Sequence, residues 1–103
     1  MHLVQILLPT HDNDGAPFPH AHFDAVQCEL TERYGGLTAH VRAPAEGHWQ
    51  YQTENRTFRD DIVVYEVMVA ALDRAWWRAY REDVRARFRQ VELIVRAQPI
   101  ELL

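Results

Sequence analysis

Glu66 is the one ionisable residue in an otherwise apolar octet, Ile62-Val63-Val64-Tyr65-Glu66-Val67-Met68-Val69. Desolvation among such neighbours pushes a carboxyl pKa up unless a cation such as Arg42 or Arg96 compensates, and a carboxylate so placed can act as a general base. His40, from the alternating segment Leu37-Thr38-Ala39-His40-Val41-Arg42, is the second acid/base candidate. Arg42, Arg96 and Trp49 are the candidate ligand contacts. The plainer reading is preferred for both candidate catalytic residues: an interface ion pair for Glu66 and a hydrogen-bonded interface side chain for His40, because structural pairs also perturb ionisation.

Other chemistries have weaker support. Six histidines invite a metal, and His20-Ala21-His22 with His11, Asp12 and Asp14 is the only local cluster. Helical neighbours two apart point about 200° from each other, so His20 and His22 chelate only if that stretch stays extended. No second ligand pair follows, and no metal is expected. Asp12-Asn13-Asp14-Gly15 opens like a calcium loop, but Ala16 and Phe18 stand where acids are needed. Cys28 is the single thiol, flanked by Glu29 and Glu32, and is expected in helix packing. The chain has no serine, and its four glycines form neither a phosphate loop nor a dinucleotide fingerprint, so no cofactor is expected.

The charge balance narrows the partners. Eleven basic residues, all arginine, face fifteen acidic ones for a net charge of −4. Such a chain lacks the electrostatics of a nucleic-acid or anionic-membrane binder. Leu3 to Leu8 is too short for a membrane span and lacks the preceding basic residues of a signal peptide. With one cysteine and no disulfide framework, a cytoplasmic location is expected.

The elements that position these residues follow from periodicity. Residues 2 to 8 are rich in branched apolar side chains and end at Pro9, as a buried strand does. After a turn-rich loop, Phe23, Val26, Leu30 and Tyr34 recur at helical spacing until Gly35-Gly36. Residues 37 to 42 alternate as a strand. Residues 43 to 61 predict an extended hairpin arm carrying Trp49, Tyr51 and Phe58, which returns into the central strand at 62 to 69. From Leu72 to Phe88, Trp76, Tyr80, Val84, Trp77 and Phe88 fall in one arc of about 120°, with Arg74, Arg78, Arg81, Arg85 and Arg89 in an opposite arc of about 80°. The arginines predict a solvated face, and Asp83 is spaced to pair with Arg87. Of the aromatics, Trp77 stands out as the one nearest the edge of the apolar arc. Residues 91 to 96 predict the last strand, interrupted by Pro99 before an apolar tail.

The order β-α-β-β-α-β in 103 residues predicts one α+β domain of ferredoxin-like type, an antiparallel sheet ordered 4-1-3-2 with both helices on one face. The strings Tyr34-Gly35-Gly36-Leu37-Thr38, Gly47-His48-Trp49 and Asp60 to Met68 are similar to small, uncharacterised bacterial proteins of ferredoxin-like fold. The resemblance spans most of residues 20 to 97. It implies the fold and carries no activity, cofactor or catalytic residue.

Strand parity assigns the faces. Val4, Ile6 and Leu8, Leu37, Ala39 and Val41, Val63 to Val69 in steps of two, and Val91, Leu93 and Val95 should meet the helices. The other face mixes Leu3, Leu7, Val64, Met68 and Ile94 with Gln5, His40, Arg42, Glu66 and Arg96. An apolar face of this kind calls for a cover, and a homodimer through it is the first expectation, with Val64→Glu expected to split the dimer without unfolding the monomer. The alternative is a small-ligand-binding protein or cofactor-free enzyme whose pocket near Glu66 and His40, with Arg42 and Trp49, takes an anionic or aromatic molecule. The Trp49 arm discriminates them, with a partner contact ranked ahead of own-chain packing and of pocket lining.

Overall fold

In a computed structural model, the chain is described over residues 1–42 and 62–103, with 40–42 described through their backbone alone. The elements run β1 (His2–Pro9), α1 (His20–Tyr34), β2 (Thr38–Arg42), β3 (Ile62–Val69), α2 (Arg74–Arg87) and β4 (Ile94–Pro99). The four strands form one antiparallel sheet ordered β2-β3-β1-β4, the expected 4-1-3-2 order counted from the other edge. The expected arm and Trp49 lie outside the described residues. Among the described residues no helix is long and apolar enough to cross a membrane.

Local chemistry explains the helix limits. Pro19 precedes α1 in an extended conformation, its fixed φ of −60° leading the chain into the first turn. At the other end Gly35 adopts φ 81° and donates its N–H to the Thr31 carbonyl, a left-handed cap that a side chain would strain. The Asp73 carboxylate caps α2 by accepting from the Trp76 N–H at 3.1 Å.

Both helices cover the same face. Val4, Ile6, Leu8, Tyr65, Val67 and Val69 from the sheet share one buried cluster with Val26 and Leu30 of α1 and with Trp77, Tyr80 and Val84 of α2. Phe88 is fully buried where Phe18, His22 and Phe23 surround its ring at centroid distances of 5.0–5.4 Å. That packing absorbs His22, while His20 begins the helix, so the two histidines do not adopt the extended geometry that chelation requires. Among the described residues no group of His, Cys, Asp and Glu is placed to hold a metal ion.

Five expectations need correction. The last strand begins at Ile94, not Val91, and Val91 is 94% exposed in the turn before it. Pro99 does not interrupt that strand but ends it opposite His2, tolerated because β4 is an edge and leaves one side of its backbone unpaired. Ala39 is level with Tyr65 yet exposed, since β2 is the other edge, beyond full helix cover. Cys28 is exposed: it lies about 200° around the helix from the buried Val26. Of the two adjacent tryptophans, Trp77 is buried and stacks on Tyr34, whereas Trp76 is half-buried beneath the Arg33 guanidinium, 4.1 Å from its ring centroid.

The helices are also joined by a polar network that periodicity did not disclose. Glu29 of α1 accepts from the Tyr80 hydroxyl at 2.8 Å and from both terminal nitrogens of Arg87 at 2.8 and 3.0 Å. Burial and this hydrogen bond push the Tyr80 phenol up. Arg87 also donates to Asp83 at 2.7 and 3.1 Å, the expected i, i+4 pair. That hydrogen bond holds the Asp83 carboxyl below its ordinary value. A depressed folded-state pKa contributes stability above the unfolded value of about 3.9 that is lost as pH falls through the lower folded value. Asp83 is exposed, so screening keeps its share below about 1 kcal/mol. Urea midpoints at pH 6 and pH 3 should therefore drop less for Asp83→Asn than for the parent; an equal drop would place the acid sensitivity elsewhere.

Candidate functional site on the open sheet face

Antiparallel register sorts the face turned away from the helices into rows. Thr38, Glu66, Gln5 and Arg96 are level across all four strands. On one side of this row lie Met68 and Leu3, and on the other Val64, Leu7 and Ile94, with His40 opposite Val64. One hydrogen-bonded polar row thus crosses a mixed surface, in which Gln98 is level with Leu3 and His40 with Val64. Residues in a row face their neighbours on the adjacent strand, so contact within it is dictated by pairing.

The row is hydrogen-bonded. Arg96 Nε donates to Gln5 Oε1 at 2.7 Å, and Gln5 Nε2 donates to Glu66 Oε2 at 2.7 Å. Only one orientation of the Gln5 amide satisfies both neighbours, because a guanidinium cannot accept and an ionised carboxylate cannot donate. The amide therefore stands between cation and anion with its dipole aligned to both. Arg96 is linked to Glu66 through Gln5, a residue that parity placed on this face without giving it a role. Glu66 is half-buried and Arg96 exposed.

His40 and Arg42 pair through their backbones with Val64 and Ile62, so His40 is one row removed from Glu66 and Arg42 two. Their side chains and Trp49 lie outside the described residues. The structure thus brings Glu66 and Arg96 together through Gln5 and leaves the remaining candidates one or more rows away or undescribed.

Two depressions border the row on its Leu3 side. The larger, about 500 Å³, is lined by Tyr34, Gly35, Gly36, Leu37, Thr38, Glu66, Met68 and Leu3. The smaller, about 260 Å³, is lined by Leu3, Gln5, Arg96, Ala97 and Gln98, with Leu3 common to both. The left-handed turn at Gly35 carries the chain from α1 into β2 and so forms the rim of the larger one. Apolar walls with one carboxylate suit a flat or aliphatic body bearing positive charge; the smaller depression supplies a guanidinium for a negative group. Adjacent strands lie about 4.8 Å apart, which sets Glu66 and Arg96, two strands apart, roughly 10 Å from each other at the backbone.

No known family's sequence pattern matches the chain, and no curated protein matches it. Among solved structures the chain is similar to a phage SAM lyase in complex with S-methyl-5′-thioadenosine, with 14% sequence identity, a TM-score of 0.58, and coverage of 94% of this chain and 79% of that one. At that identity the likeness is one of fold.

Proposed function

We propose that this protein binds a small zwitterionic or cationic organic molecule on the open sheet face, with Glu66 as its counter-ion and Arg96 as the contact for its carboxylate. The observation that carries the reading is the hydrogen-bonded row Glu66–Gln5–Arg96, bordered on its Leu3 side by two depressions. Ordinary solvation would leave such a face polar throughout; here opposite charges are held at a defined spacing beside apolar walls. S-adenosylmethionine, with its sulfonium, ammonium and carboxylate groups, fits that chemistry and is the first ligand to test, since the structural neighbour is a SAM lyase. This departs from the anionic or aromatic ligand expected from the sequence, because the larger depression is edged by a carboxylate.

The test separates charge from shape. In titration calorimetry, S-adenosylmethionine and the uncharged thioether S-methyl-5′-thioadenosine should both bind saturably. A carboxylate about 5 Å from a sulfonium contributes on the order of 3 kcal/mol at an effective dielectric of 20, and less at a half-exposed site. Glu66→Gln should therefore weaken the sulfonium at least tenfold and the thioether less than threefold. Equal losses for both ligands, or no binding by either, would remove the reading.

A second reading has its own observation. Met68 and Ile94 remain 55% and 49% exposed on the same face. A second copy of the chain laid on this sheet would cover them. Light scattering at rising micromolar concentration should then give twice the 12.1 kDa chain mass, and a constant single-chain mass would exclude it.

A further inference from the structure

The arginine face of α2 is not uniformly neutralised. Arg81 and Arg85 meet Glu82 at 3.3 and 2.9 Å, Arg87 is held by Asp83 and Glu29, and Arg89 meets Asp12 at 3.7 Å. Arg74 and Arg78, one turn apart, make no ion pair among the described residues. With Arg81 and Arg96 they line a groove of about 220 Å³ between α2 and β4, whose apolar side includes Trp77 and Val95. Among the described residues no acidic side chain lines it. Trp77 is 95% buried, and its indole N–H has no acceptor among the described residues.

The groove thus holds a surplus of donors and positive charge within a chain whose net charge is −4. Arg74 is also the first residue of α2, where the helix dipole adds to the positive potential. Asp73, next to Arg74 in sequence, is engaged as the helix cap. Guanidinium groups one helical turn apart match the oxygens of a phosphate, each through paired N–H donors.

We propose that this groove binds a small phosphorylated molecule, with Arg74 and Arg78 holding the phosphate and Trp77 and Val95 flanking its apolar part. The site borders the open sheet face at Arg96, which lines both, but its phosphate contacts Arg74 and Arg78 lie outside that face and do not depend on Glu66. Inorganic pyrophosphate is the probe, titrated at constant ionic strength with chloride as the control. Binding should saturate, and in a ¹⁵N–¹H spectrum the Trp77 indole signal should move with it. Arg74→Ala/Arg78→Ala should weaken pyrophosphate at least tenfold, whereas Arg89→Ala, outside the groove, should stay within twofold. Non-saturating binding, an unmoved Trp77 signal in the parent protein, or undiminished binding by a folded double variant would each overturn the proposal. The indole signal of the parent decides the matter even if the double variant fails to fold.

Discussion

Val64→Glu is expected to unfold most of the protein, whereas Met68→Glu, four residues along the same strand and on the same face, should leave stability within about 0.5 kcal/mol of the parent. Val64 is 1% exposed in the single chain and Met68 is 55% exposed. A carboxyl group forced into a buried apolar position must either stay charged without a partner or take up a proton. A glutamate pushed from about 4.3 to 8 or 9 is protonated in the folded state at pH 7, which costs about 4 kcal/mol there. That is most of the stability of a marginal small domain, whose whole range is about 5–15 kcal/mol. Circular-dichroism melts of the two variants check this, and a folded Val64→Glu protein would refute the burial. The pair also replaces the experiment suggested by parity alone: Val64→Glu cannot report on a dimer, because it attacks the monomer first. Met68→Glu is the substitution that tests a second copy on this face.

Phe88→Ala should cost about 3–5 kcal/mol, the range for deleting a fully buried aromatic ring whose site cannot collapse. Phe88 sits just beyond α2 with 0% exposure, and three rings press on it from the segment leading into α1 and from α1 itself. Edge-on packing of this kind adds to the area term, so the loss exceeds that of an isolated phenyl group. Urea denaturation should show a lower midpoint with an unchanged slope. Phe88→Leu, which keeps most of the volume, should recover more than half of the loss; equal losses for the two variants would mean that the ring packing is immaterial.

The sequence by itself determined the kinds and order of the elements, which strand faces are apolar, and the isolation of Glu66 on one of them. Those properties are local: alternation places a residue on a face whatever the strand pairs with, and the Val26–Leu30 spacing marks a buried helical stripe wherever the helix docks. Tertiary structure alone decided the rest. Gln5 meets Glu66 across 61 positions of sequence and Arg96 across 91, so its bridging role exists only once three strands are in register. Glu29 likewise acquires Tyr80 and Arg87 only when α1 and α2 lie side by side. Periodicity put Trp76 and Trp77 in one apolar arc, but the stacking of Tyr34 chose Trp77 for the interior. The arginine stripe had one sign along its length until neighbouring acids neutralised its later turns and left Arg74 and Arg78 beside β4. Faces follow from backbone geometry within a segment; partners follow from which segments meet, and that is settled by the packing of the whole chain.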